Sequence, residues 1–157
     1  MMCSRLLGNS AMGKDKRKGK DKDQEEEKKL ETGTFFFPNG DKYNGSYLAK
    51  DDHIERCGNG THTTSDGIVY EGEFNNDKMN GKGKMTFPSG TSYEGDFVNN
   101  EYHGCGKFSW ADGSFYQGEF KENKIEGDGE FTDIHGQVWS GKFRFRVAPN
   151  LKFALRM

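Results

Sequence analysis

Tyr70-Glu71-Gly72-Glu73-Phe74 returns as Tyr93-Glu94-Gly95-Asp96-Phe97 and again as Tyr116-Gln117-Gly118-Glu119-Phe120. Each copy begins 23 residues after the one before. A fixed period in the range of about 20–50 residues marks a stacked array, in which each unit buries its apolar face on its neighbours and the whole offers an extended binding surface. Inside the unit the period is two, which is the period of a strand. Tyr70, Gly72 and Phe74 point to one face, Glu71 and Glu73 to the other. A polar turn over residues 75–80 leads to a second strand over 81–87. There Gly81, Gly83, Met85 and Phe87 share one face, and Lys82, Lys84 and Thr86 the other. Pro88-Ser89-Gly90 turns the chain into the next unit, as Asn39-Gly40 and Asp112-Gly113 do elsewhere.

Glycine inside a strand costs roughly 0.5–1 kcal/mol against alanine, so its recurrence needs a reason. A bare backbone lets neighbouring rings lie flat across the sheet. On the opposite face the register expected across the hairpin sets Glu71 and Glu73 against Lys82 and Lys84, pairs worth roughly 0.2–1 kcal/mol each. In the unit from Tyr116 the same rule sets Glu119 against Asp128 and Glu130. That patch repels itself unless something basic covers it.

The array extends beyond the three clearest copies. Residues 33–42 match 83–92 as a half unit. Full units start at Tyr43, Tyr70, Tyr93 and Tyr116, and Trp139-Ser140-Gly141-Lys142-Phe143 opens a partial one. The unit from Tyr43 is 27 residues long, so it carries four extra residues, placed between Leu48 and Cys57. The expected organisation is a charged tail over 1–32, the array over 33–143 and a terminal segment over 144–157. The tail is low in complexity, without apolar periodicity, and is predicted to be disordered. After Pro149, residues Leu151, Ala154 and Leu155 fall at helical spacing, which predicts a short helical or extended cap. The predicted fold class is all-β: an elongated single-layer antiparallel meander of roughly ten short strands.

Composition agrees. Hydrophobic and charged residues each make up 31% of the 157, and mean hydropathy is −1.00. A thick two-layer core is not expected, so the aromatics, at 13%, must supply much of the burial. Residues 34–139 carry 9 basic and 18 acidic side chains, whereas residues 140–157 carry 5 basic and none acidic. The acidic body argues against nucleic acid as a partner. The basic end is the candidate cover for the acidic patch. Cys3, Cys57 and Cys105 are odd in number and form no CxxC, and are read as free thiols. There is no apolar run of membrane-span length and no signal-like stretch, so cytoplasm is the expected location.

The motifs of chemistry are missing. The GxG strings lie inside strands, with no GK[ST] and no helix after them. His103 with Cys105, and Cys57 with His62, lack a second pair at ligand spacing. No catalytic residue, metal ligand or cofactor site is expected.

The pattern YEGEF, a variable turn, GKGKMTFPSG and then YEGDF resembles the MORN repeat, with agreement in phase over residues 33–143. The resemblance implies a non-enzymatic protein-binding adaptor with a groove lined by aromatics. Related small proteins serve germ cells (spermatogenesis and the acrosome), cilia and membrane trafficking, so vesicle, acrosome or cilium association is implied as well. The candidate groove residues are Tyr70, Phe74, Phe87, Tyr93, Phe97, Trp110, Tyr116, Phe120 and Trp139. The expected occupant is an amphipathic or basic helix, or an extended segment, chosen by the acidic rim. Two alternatives stay open. One is contact with anionic phospholipid through Lys14, Lys16, Arg17, Lys18, Arg144, Arg146 and Lys152. The other is self-association through sheet edges, as a rod or an edge-to-edge dimer, in place of a monomer.

Overall fold

In the computed structural model, residues 30–50, 52–144 and 152–154 are described, the last three by their backbone alone. They form one antiparallel sheet whose strands follow chain order from end to end. The strands are β1 (Leu30–Phe36), β2 (Lys42–Ala49), β3 (Ile54–Thr63), β4 (Val69–Asn75), β5 (Lys78–Thr86), β6 (Ser92–Val98), β7 (Glu101–Ser109), β8 (Phe115–Lys121), β9 (Lys124–Thr132), β10 (Val138–Arg144) and β11 (Lys152–Ala154). The described residues include no helix. The all-β meander read from the period of two is therefore the fold.

Two kinds of turn alternate. At one end of the strands, Phe87-Pro88-Ser89-Gly90-Thr91 closes with Gly90 N–H donating to the Phe87 carbonyl at 3.0 Å and Phe87 N–H to the Thr91 carbonyl at 2.9 Å. The same bonds recur at residues 37–41, 64–68, 110–114 and 133–137. At the other end, two left-handed residues make the hairpins β4–β5, β6–β7 and β8–β9: Asn76 and Asp77 (φ 49° and 62°), Asn99 and Asn100 (50° and 73°), Glu122 and Asn123 (50° and 63°). This tight primed-type turn matches strand twist. It lets β5 begin at Lys78, three residues earlier than the 81–87 expected. The broad polar turn over 75–80 is in fact two residues followed by β5, which bulges over residues 80–82 opposite Glu73, where the register passes from Gly72↔Gly83 to Phe74↔Met79. The four extra residues of the first unit lie where expected. They add one strand pair, Ala49 with Ile54, and lengthen the turn to residues 50–53.

The core is a single file of rings. Tyr43, Phe74, Tyr70, Phe97, Tyr93, Phe120, Tyr116 and Phe143 touch in that order, edge to face, with centroids 4.8–5.4 Å apart. Each such pair is worth about 0.5–1.5 kcal/mol beyond area burial. Glycine makes the file. Gly83 lies opposite Gly72, and a Cβ on it would stand 2.6 Å from the Tyr70 ring. The ring occupies that space, and its hydroxyl donates to the Glu73 carbonyl at 2.9 Å. Tyr43, Tyr93 and Tyr116 make the same bond to Ser46, Asp96 and Glu119.

The charged face differs from expectation in detail. Lys82 and Lys84 pair forward onto β6, Lys82 to Asp96 at 2.6 Å and Lys84 to Glu94 at 3.9 Å. The bulge is the reason: it leaves Glu73 without a direct opposite, and its carboxylate accepts from the Lys82 backbone N–H at 3.3 Å. The acidic patch expected around Glu119 is present: Glu119 faces the bulge at 126–128, with its carboxylate against Gly127. On the far side Lys142 and Arg144 of β10 stand in register with Asp128 and Glu126.

Leu30, Glu31 and Thr32 belong to β1, so the array starts three residues before the expected boundary at 33. The disorder expected of residues 1–29 lies outside the described residues. At the far end, residues 152–154 pair as a strand with β10, so the helical form of the cap is replaced there by the extended one. The open edge of β10 offers unpaired backbone groups that a strand satisfies and a helix does not.

Candidate binding face

Six of the nine rings assigned to a groove are closed to any partner in this form. Tyr70, Phe74, Tyr93, Phe97, Tyr116 and Phe120 are 0–4% exposed and constitute the core. Phe87, Trp110 and Trp139 are half-buried. Of the candidate basic contacts, Arg144 is exposed. Lys14, Lys16, Arg17, Lys18 and Arg146 lie outside the described residues, as does the side chain of Lys152.

A second layer of apolar side chains lies over the ring file, half-buried. It comes from the second strand of each unit. Met85, Phe108 and Phe131 stand 23 residues apart; Met85 and Phe108 lie opposite buried tyrosines on both flanks, and Phe131 between Tyr116 and Trp139. Trp110, presented by the turn after β7, bridges Phe108 and Phe131 with centroids 4.9 and 5.7 Å away. Tyr102 of β7 stacks on Tyr93 at 3.9 Å, nearly parallel, and its hydroxyl lies 3.4 Å from the Met85 Sδ. Phe108, Phe131 and Tyr102 were not among the sequence candidates. The signal was present in two 23-residue series on the second strands, Met85, Phe108 and Phe131 in one and Met79, Tyr102 and Ile125 in the other.

The strip ends in charge. Arg56 takes the place on β3 that Met79 takes on β5 and Tyr102 on β7. Its guanidinium lies 5.1 Å from the Phe74 centroid and 5.8 Å from that of Tyr43. Asp77 fixes it, with its carboxylate 3.2 Å from Arg56 Nε and its carbonyl accepting from Nη2 at 2.8 Å. Beside it a cavity of about 440 Å³ is bordered by Phe37, Asp41, Ile54, Arg56, His62 and Asp77. Burial, reinforced by the Arg56 charge and opposed by Asp41, pushes the His62 imidazole below its ordinary value. The Ser65 backbone N–H, 2.9 Å from Asp41, holds that carboxyl below its ordinary value. Among the described residues no three His, Cys, Asp or Glu side chains converge as metal ligands.

The hairpin tips are tied together by a device the sequence reading missed. Asp77 accepts from the Arg56 backbone N–H at 2.9 Å, Asn100 from that of Met79 at 2.8 Å and Asn123 from that of Tyr102 at 2.9 Å. In return their own N–H groups donate to the carbonyls of the same three residues. Each tip therefore caps the one before, 21 residues back, and holds the half-buried layer in place.

Residues 70–92, 93–115 and 116–134 match the family model of the MORN repeat. Over these residues the chain is similar to MORN repeats. The glycine register of the three continues outside the match, from Gly33 opposite Gly45 on β1 and β2 to Gly129 opposite Gly141 on β9 and β10. MORN repeats are a non-catalytic module associated with protein or membrane binding. No curated protein matches the chain.

Proposed function

We propose that the protein is a non-catalytic adaptor that docks an apolar segment of another protein along the half-buried strip of Met85, Tyr102, Phe108, Trp110 and Phe131. The observation that carries this reading is Trp110. It is a large ring on a turn, packed by two other rings yet still half-open to solvent. Aromatic side chains of this kind are the usual anchors of interfaces. The opposite face carries the ion pairs Lys82–Asp96 and Lys84–Glu94, and its exposed apolar side chains, Leu30, Phe36 and Val98, stand apart from one another rather than as a packed aromatic cluster. The MORN resemblance supports an adaptor in germ-cell, ciliary or trafficking processes in the cytoplasm. The stretch over 126–136, with Trp139-Ser140-Gly141, is similar to the end of MORN repeat-containing protein 2.

The buried core changes which substitution tests the idea. Tyr93→Ala removes a core ring and unfolds the repeat; Trp110→Ala leaves the file intact. In affinity capture, Trp110→Ala is expected to lose a partner that the unaltered protein retains in about 0.5 M salt, where exposed charge contacts are screened. Retention of every partner by folded Trp110→Ala protein contradicts the reading. Binding only to vesicles of anionic lipid, lost with salt, moves the function to the basic segments.

A further inference from the structure

The sheet ends in two unlike edges. β11 is three residues long, while β1 is seven, and no described strand pairs with its outer side. Proteins blunt such edges with lysine, proline or a bulge. Leu30-Glu31-Thr32-Gly33-Thr34-Phe35-Phe36 has neither residue, and its register with β2 runs unbroken. Its one charge, Glu31, accepts a hydrogen bond from the Tyr47 hydroxyl at 2.8 Å. Leu30 and Phe36 are 48% and 77% exposed, and they lie at the two ends of this one strand.

We propose that β1 pairs antiparallel with β1 of a second copy about a two-fold axis at Gly33, forming a closed dimer. The register follows from the sheet itself. At all nine junctions from β1/β2 to β9/β10 a glycine stands opposite a glycine. An axis at Gly33 continues that rule with Gly33 opposite Gly33. It then sets Leu30 of each copy opposite Phe36 of the other and Thr32 opposite Thr34. Leu30 and Phe36 are six residues apart, hence on the same face, so the two exposed apolar residues cover each other at both ends of the junction. A shift of the axis by one residue, to Thr34, sets Phe36 opposite Thr32 and Leu30 opposite Pro38, and leaves both uncovered. The contact is isologous, so it closes at two copies and does not grow into a rod.

The test is sedimentation equilibrium of the full chain over a concentration series. The expected mass rises from 17.8 kDa towards twice that value. Leu30→Lys and Phe36→Lys are each expected to weaken the dimer about tenfold, because the altered contact occurs twice across the axis. The double substitution Leu30→Lys/Phe36→Glu sets opposite charges face to face and is expected to restore it. Both positions are exposed, so unchanged far-UV spectra will report that the variants fold. A monomer at every concentration overturns the proposal. So does a dimer indifferent to the single substitutions, and so does failure of the charge pair to restore association.

Discussion

Tyr93 is fully buried, yet its hydroxyl is satisfied by the Asp96 carbonyl at 2.9 Å and its ring rests on the backbone of Gly106. A ring can lie this flat only where the residue beneath has no side chain. A Cβ on Gly106 would stand 2.5–2.7 Å from three atoms of that ring, so Gly106→Ala is expected to destabilise by about 1–3 kcal/mol, read from urea unfolding. Tyr93→Phe removes only the hydrogen bond and is expected to cost about 1 kcal/mol. The tyrosines also set an alkaline limit. Burial pushes Tyr70 and Tyr116 from the ordinary 10.0 up to about 12, which favours the protonated form in the folded state. Their contribution is whole below pH 10 and falls as pH rises from there through about 12, where the unfolded chain is already ionised. The urea midpoint should drop across that window, together with phenolate absorbance appearing on unfolding. At this scale the sequence was a good guide. The glycine spacing announced flat rings, and Tyr70, Tyr93 and Tyr116 are such rings. What it could not tell was which rings stay open, because Tyr93 and Phe108 sit opposite each other on one face and alternation assigns both to it equally.

The hairpins β4–β5, β6–β7 and β8–β9 are each two strands joined by a left-handed pair, and the tip of each is bound to the second strand of the hairpin before it. Asn100 serves both ends of this link: its side chain accepts from Met79 N–H, and its N–H donates to the Met79 carbonyl. Asn100→Ala leaves the Met79 N–H without its acceptor and puts alanine at φ 73°. It is expected to cost about 1–3 kcal/mol, and to speed amide exchange at Met79. Asn100→Gly keeps the backbone conformation and is expected to cost less. Asp77, Asn100 and Asn123 recur every 23 residues, so the caps were legible in principle. Their meaning was not, because the strand ends they define depend on a bulge that skips residues on β5. Pure alternation places the second strand at 81–87 for that reason, and assigns Lys82 to the wrong carboxylate. The strand at 152–154 is the extended form of the expected cap; Leu151, Ala154 and Leu155 at helical spacing could not choose it over the helical form, because they say nothing of the open β10 edge beside them.

Among the described residues the main contacts run between strands adjacent in sequence, from β1·β2 to β10·β11, and the ring file links each unit to the next. Deleting residues 93–115 removes one whole period and rejoins equivalent positions. The shortened protein is expected to fold, with a lower melting temperature and a smaller urea m-value; loss of all structure would contradict a chain of equivalent units. The two faces of the sheet differ in what they can offer. One is a ladder of compensated charge, Lys84 between Glu71 and Glu94. The other carries a closed ring file with a half-open aromatic layer above it, and that layer is where recognition is assigned. The direct test is site-specific photo-cross-linking in cells, with the reactive group introduced at Trp110 in one protein and at Glu94 in another. Trapping of a partner from position 110 and not from 94 is the predicted result. Trapping from position 94 alone, or the same partners from both, would contradict recognition by the aromatic face.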